Sequence, residues 1–345
     1  METAIKKERI QYIDALRGFT MLLVVFAHVE TFSFQHIENT TFLGDLFRIF
    51  RMPLFFFVSG FLSYKPGGDW TLRQCGTLAV KKLRIQLIPT LFLGLLYTYF
   101  CLGETFVWFI TLPLKAGYWF TIVLLEMFLI YYAVRLICEK VNALKDLTLV
   151  VLLVIALALY TVNTINPLID HVSNILSFTQ TARYLVFFVL GMIASNYKET
   201  FFMMLDNGKA MLSILVAFLT LLIIYNKVEH TSTILCADVA GIFGLLIIFA
   251  FFRKYAPSFD SSTKLGKSLQ YIGKRTLDIY LLHYFVLPKD LTALGNFFLQ
   301  TPNIAIEFAT VITLSLLIVG LCLLLSNTVR LSATTARALF GVRGN

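Results

Sequence analysis

The sequence predicts an all-α, polytopic membrane protein: a bundle of about ten transmembrane helices, N- and C-termini cytoplasmic, forming one transmembrane domain over residues 1–345. Three observations predict it. The chain is 58% hydrophobic and only 14% charged, where soluble domains carry about 25% charged residues, and its mean hydropathy is +0.79. The apolar residues fall in blocks near the roughly 20-residue length that crosses a bilayer as a helix. The cationic residues collect on one side of those blocks.

The blocks read as helices because lipid offers the backbone no hydrogen-bonding partner. The short period-two segments of a membrane barrel are absent. Lys6, Lys7 and Arg9 form a basic head before an apolar run from Phe19 to Val29. No small-residue cleavage site follows, so the run reads as a retained anchor. The spans expected are Gln11–Phe32, Leu46–Tyr64, Val80–Cys101, Tyr118–Ile137, Leu147–Asn163, Thr181–Ser195, Ala210–Tyr225, Ile234–Phe252, Leu269–Leu287 and Ile304–Leu325. Turn residues join them, as in Lys65–Asp69 and Asn163–Pro167.

With the N-terminus inside, only Arg48, Arg51, Lys115, Lys227 and Lys289 of the 29 Lys and Arg fall outside. Arg17 and Arg183 lie within spans, and every other cation is cytoplasmic. This is the positive-inside pattern. The net charge of +9 therefore reflects topology and contact with anionic membrane lipids. Nucleic acid is not expected as a partner, because no soluble basic domain exists to bind it. Cys75, Cys101, Cys138, Cys236 and Cys322 show no C-x-x-C spacing and read as small apolar residues, with no metal expected.

Polar residues within spans are costly and need a reason. The first span carries Asp14, Arg17 and His28. Asp14 and Arg17 are spaced i, i+3, so they can pair; they serve as an interfacial anchor or as part of a site. Arg17 and His28 are 11 residues apart, which at about 100° per residue returns to the same face within about 20°. Along the axis they stand about 16 Å apart. One helix face thus carries a cation near its cytoplasmic end and an imidazole deep toward the other side. Arg51 and Pro53 mark the outer end of the second span, where Ser59 and Gly60 permit close packing. Lys81, Lys82 and Arg84 open the third span as a cytoplasmic cluster.

These residues resemble a known family. Ile13-Asp14-Ala15-Leu16-Arg17-Gly18, with His28 eleven residues after the arginine, resembles the opening signature of the membrane acyltransferase 3 family. Arg51-Met52-Pro53-Leu54-Phe55-Phe56-Phe57-Val58-Ser59-Gly60-Phe61-Leu62 is similar to its second block. Tyr118-Trp119-Phe120, Phe187–Met192 and Leu277–His283 resemble three more, in the expected order. The chain looks most like the stand-alone members, including the fucose 4-O-acetylase-like group. The resemblance implies O-acyl transfer from cytoplasmic acetyl-CoA to a hydroxyl of a sugar in a cell-envelope glycan or lipid-linked precursor, in the bacterial plasma (inner) membrane. Carried over by position, His28 matches the family's essential histidine, and Arg17 and Arg51 its arginines. Where members often show arginine-x-x-arginine, this chain has Lys81-Lys82-Leu83-Arg84, so only Arg84 keeps the guanidinium fork that grips phosphate.

The chemistry suits those residues. Acyl transfer to a hydroxyl needs a base of near-neutral pKa, which His28 offers. The phosphates of CoA need cations, offered by Arg17, Lys82 and Arg84. Arg51 would orient the acceptor or stabilise the oxyanion. Asp14 is the charge partner of Arg17. Glu126 is placed to pair with Arg51 or His28, or to be a structural partner. Asp238 and Arg183 are expected to pair. His283 is either a substrate contact or a structural histidine, and His36, His171 and His230 fall in outer loops. Tyr118 and Trp119 belong to the interfacial aromatic belt, or Trp119 stacks on sugar. Two rival readings are a transporter of a glycoconjugate or small solute and a non-catalytic scaffold. The first expects an internal repeat, which is not visible; the second expects no pocket joining Arg17 to His28.

Overall fold

Long apolar segments that bond their own backbone groups as helices give the architecture of this computed structural model, which describes residues 10–35, 41–65, 70–141, 145–166, 171–225 and 231–341. The basic head at Lys6, Lys7 and Arg9, His36, Lys227, His230, Pro167 and the turn at Pro66–Asp69 lie outside the described residues. Among the described residues all regular structure is helical, and nine helices are long and apolar enough to cross a membrane.

Eight of them come first in the chain. They are α1 (Gln11–Ser33), α2 (Phe42–Ser63), α3 (Leu72–Leu102), α4 (Trp119–Lys140), α5 (Lys145–Ile165), α6 (Phe178–Asn196), α7 (Gly208–Tyr225) and α8 (Thr231–Lys254). Two shorter helices follow, α9 (Lys264–Lys274) and α10 (Thr276–Val286). Then come the ninth long helix, α11 (Ile304–Arg330), and the short α12 (Ala333–Phe340). The most apolar window of α1 is 78% buried against 6% for that of α7, so α1 is the central post and α7 a peripheral, lipid-facing helix.

The sequence stretch Leu269–Leu287, expected as one span, is instead divided at Arg275, whose φ of −114° and ψ of 16° leave the helical region. The reason lies in α9. It buries Gly266, Leu269, Gln270 and Gly273 at helical i, i+3, i+4, i+7 spacing. Its other positions include Lys264, Lys267 and Lys274, and its buried stripe packs on the start of α1. The contact is backbone to backbone: a Cβ on Gly18 would stand 2.0 Å from the Leu269 carbonyl oxygen, and one on Gly273 1.8 Å from that of Asp14. A second close crossing joins α2 to α6. There Gly60 faces the Phe188 carbonyl and Gly191 that of Phe57, the close approach expected of Gly60. Phenylalanines fill the core around it; Phe57 and Phe61 pack edge-on to Phe249 at 5.8 and 5.5 Å. Pro53 sits within α2, where it frees the Ile49 carbonyl, and Gly241 of α8 packs beside both.

Among the described residues three helical turns widen to i→i+5 bonding: Phe34 N donates to Val29 O, Ile88 N to Leu83 O, and Gly103 N to Thr98 O. Such π-turns insert a residue and cluster at functional sites. The first directly follows His28, and the second directly follows Lys82.

Candidate active site

The face of α1 that carries Arg17 also carries Met21, Val24 and His28, and cavities open along it. At the His28 end a pocket of about 60 Å³ is lined by Met21, Val24 and His28 of α1, by Arg51, Met52 and Phe55 of α2, and by Gly117, Trp119, Phe120 and Tyr280. At the Arg17 end a larger cavity, about 280 Å³, is lined among others by Arg17, Gln86, Lys274, Thr276, Asp278 and Arg330. Phe55, Phe120 and Tyr280 line both. Their rings pack edge to face, Phe55 to Phe120 at 4.8 Å and Phe120 to Tyr280 at 5.5 Å. The two cavities are thus separated by a partition of three aromatic rings rather than by a helix.

His28 is held by a chain of hydrogen bonds. His283, fully buried, has its Nδ1 3.1 Å from the Ile279 carbonyl oxygen and its Nε2 2.7 Å from His28 Nδ1. A carbonyl can only accept, so in the neutral pair His283 donates from Nδ1 and presents a bare Nε2. That atom then accepts from His28 Nδ1–H. The remaining nitrogen, His28 Nε2, is left with its lone pair. This tautomer follows from the bonding pattern. The two rings lie within 9° of parallel with centroids 4.9 Å apart, an arrangement compatible with a bond in the plane of both. Tyr284 Oη stands 3.5 Å from His28 Nε2, at the limit of bonding range.

A tight turn closes the pocket. Lys115, Ala116 and Gly117 all have positive φ (48°, 50° and 101°), a strained sequence of the kind held only by surrounding structure. At Gly117 a Cβ would lie 2.1 Å from Tyr284 Oη. The Gly117 carbonyl accepts from Tyr280 Oη at 2.7 Å, and that oxygen accepts from Phe120 N at 3.1 Å. Lys115 Nζ donates to the carbonyls of Leu112 (2.6 Å) and Asn174. Ser177 Oγ donates to Pro113 O at 2.7 Å. Burial pushes the Lys115 ammonium down to about 8.

At the opposite end Arg17 lies 3.8 Å from Asp14 and donates to Thr276 Oγ1 at 3.1 Å. Thr276 opens α10, and Thr276, Leu277 and Asp278 of its first turn line the cavity; a helix start is a favourable place for an anion. Asp278 takes three bonds of 2.7–3.0 Å from Arg330 and one of 2.5 Å from Ser326. Arg275 is 3.4 Å away.

Among the residues singled out in the sequence, the structure therefore brings His28, Arg51, Trp119 and His283 together at one end and Arg17 with Asp14 at the other. Lys82 sits with its Nζ 3.4 Å from the centre of the Phe128 ring, and Arg84 is exposed; neither lines the cavity. Glu126 accepts from Thr181 at 2.5 Å, which makes it a structural partner of α6. Arg183 and Asp238 pair as expected, at 2.8 Å. Tyr118 departs from the interfacial belt: it is fully buried and donates to Leu281 O at 3.0 Å. His171 is exposed. The sequence reading missed Tyr280, Tyr284, Gly117, Lys274 and Arg330. Tyr280 lies within the Leu277–His283 stretch, whereas nothing in the sequence marks Gly117 or Tyr284. Among the described residues no group of three or more His, Cys, Asp or Glu is placed to hold a metal ion.

Compared with known proteins, residues 10–327 match the family model described as an acyltransferase domain, Acyl_transf_3. The chain belongs to the acyltransferase 3 family. No curated protein and no solved structure matched it. The match spans every helix from α1 to α10, most of α11, and the lining of both cavities except Arg330 and Phe340. The protein is therefore a multi-pass membrane acyltransferase, and the geometry above is that of an acyltransferase with a histidine at one end of its central helix and a cationic cavity at the other.

Proposed function

We propose that this acyltransferase moves an acetyl group from acetyl-CoA, bound at the Arg17 end, to a sugar hydroxyl that reaches His28 from the opposite side of the membrane. The observation that carries the reading is the pair of cavities on one face of α1, meeting at the Phe55–Phe120–Tyr280 partition. The Arg17 end faces the cytoplasm in this reading, as the bias of Lys and Arg requires, and both termini lie there. The membrane is then the bacterial inner membrane.

The phosphates of CoA would rest on Arg17, Lys274 and the start of α10, with Lys82 and Arg84 raising the local positive potential. Arg330 is already committed to Asp278 and frames the cavity. The thin pantetheine arm would pass the aromatic partition, which must part for it, and carry the thioester to the small pocket. There the acceptor oxygen attacks the thioester carbon while His28 Nε2 takes its proton. Arg51, which lines the same pocket, would stabilise the oxyanion of the tetrahedral intermediate. That intermediate collapses with cleavage of the C–S bond, and the proton on His28 passes to the departing thiolate. The products are the sugar ester and free CoA. A pocket of about 60 Å³ holds roughly four waters, which suits a short acyl group.

Purified protein in liposomes, supplied with labelled acetyl-CoA and envelope glycolipid extract, tests the reading. Label should appear in a sugar ester with wild type and not with His28→Ala, provided the variant folds. Consumption of acetyl-CoA by His28→Ala at the wild-type rate would remove His28 as the base. No consumption by wild type across varied acceptors would favour a transporter instead.

A further inference from the structure

The His28 pocket, at about 60 Å³, is narrow, and the units of a glycan beyond the reacting sugar need room outside it. A second cavity lies next to it. Arg48 and Arg51 are one helical turn apart on α2, and they point into different spaces: Arg51, Met52 and Phe55 line the His28 pocket, whereas Arg48, Ile49 and Pro53 line a cavity of about 270 Å³. The boundary between the two is aromatic. Trp119 lines the first, Tyr184 lines the second, and their rings are stacked at 5.7 Å and 20°.

The far wall of this cavity is polar and fixed. Arg183 grips Asp238 through two nitrogens at 2.8–3.2 Å, and Tyr160 Oη donates to the same carboxylate at 3.0 Å. Tyr225 supplies a further ring and hydroxyl. The cations here are matched: Arg183 by Asp238, and Arg48 by Asp45 at 3.8 Å. A matched guanidinium–carboxylate pair beside tyrosines is poorly suited to a phosphate, which wants excess positive charge, and to an acyl chain, which wants none. It suits a neutral polyhydroxyl ligand. Paired hydroxyls can bridge the guanidinium and carboxylate, and the C–H face of a pyranose can lie against a tyrosine ring.

We propose that this cavity is a glycan subsite, which holds the sugar unit adjoining the one that is acylated. It rests on the acyl-transfer reading above and makes the protein selective for acceptors of two or more sugar units. Arg48, Tyr225 and Asp238 then act as specificity-determining residues.

The test compares acceptors of two lengths: tri- and tetrasaccharides released from the cell's own envelope polysaccharide, and its constituent monosaccharides as methyl glycosides. Wild type should show a higher kcat/KM for the oligosaccharides. In Tyr225→Ala and in Arg48→Gln, each at the rim of the cavity, the ratio of the two kcat/KM values should fall at least about tenfold, a loss of about 1.4 kcal/mol in discrimination. The same oligosaccharides should bind His28→Ala protein in nanodiscs, and Tyr225→Ala should weaken that binding. Wild type without length preference, or an unchanged ratio in both folded variants, overturns the subsite while leaving acyl transfer intact. Tyr225-dependent binding by a protein that consumes no acetyl-CoA would retain the subsite and overturn the acyl-transfer reading.

Discussion

The bonding chain through His283 makes a quantitative prediction. Its Nε2 is the acceptor that holds the proton of His28 on Nδ1, at 2.7 Å, and so leaves His28 Nε2 free to act as a base. His283→Phe fills most of the ring volume but offers no acceptor. The buried Nδ1–H of His28 then either stays unpaired or moves its proton to Nε2, which removes the base. An unsatisfied buried donor costs about 1–3 kcal/mol, and if that cost falls on the productive tautomer it corresponds to roughly a 5- to 160-fold loss of kcat. His283→Gln places a carbonyl oxygen near the position of Nε2 and should recover most of the loss. The assay is thiol release from acetyl-CoA at saturating acceptor. KM for acetyl-CoA should stay within about twofold in both variants, because no contact to the donor is removed. A folded His283→Phe protein with wild-type kcat would refute the tautomer argument. Equal losses in the Phe and Gln variants would show that ring shape, not the acceptor nitrogen, positions His28.

Three further outcomes are expected. Phe120→Ala should open the partition between the cavities and raise acceptor-independent hydrolysis of acetyl-CoA, alongside a stability cost of about 3–5 kcal/mol; unchanged hydrolysis would place the donor's path elsewhere. Gly60→Ala puts a Cβ 1.9 Å from the Phe188 carbonyl oxygen and should lower thermal stability by about 1–3 kcal/mol or more, whereas Gly76→Ala, with open space around it, should not. Lys115 is held at about 8 from an ordinary 10.5 by burial, so above about pH 8 the folded chain binds fewer protons than the unfolded chain and stability should rise with pH up to about 10.5. The neutral amine keeps two N–H groups, enough for the Leu112 and Asn174 carbonyls. Thermal midpoints from pH 7.5 to 10 should therefore climb more in wild type than in Lys115→Met, and parallel curves would sink the assignment.

Why some of this was legible in the sequence and some was not follows from how far a local rule can reach. Hydropathy located the nine long helices, because in lipid an apolar block of that length has one way to satisfy its backbone. It misjudged Leu269–Leu287, because a hydropathy window averages the lysine-bearing face of α9 with its buried stripe. The Arg17–His28 face was readable because both lie on one uninterrupted helix, where the 3.6-residue period holds. The same extrapolation does not reach the cavity on α3. There the π-turn at Leu83–Leu87 adds a residue, so Ile85 and Gln86 line the cavity while Arg84 faces away. The meeting of His28 with His283 spans 255 positions of sequence, and no periodicity predicts it. It depends on the break at Arg275, after which α10 runs from Thr276, bonded to Arg17, to His283, bonded to His28. The residue that spoils the ninth span as a sequence pattern is thus the one that lets its second half deliver a histidine to the site.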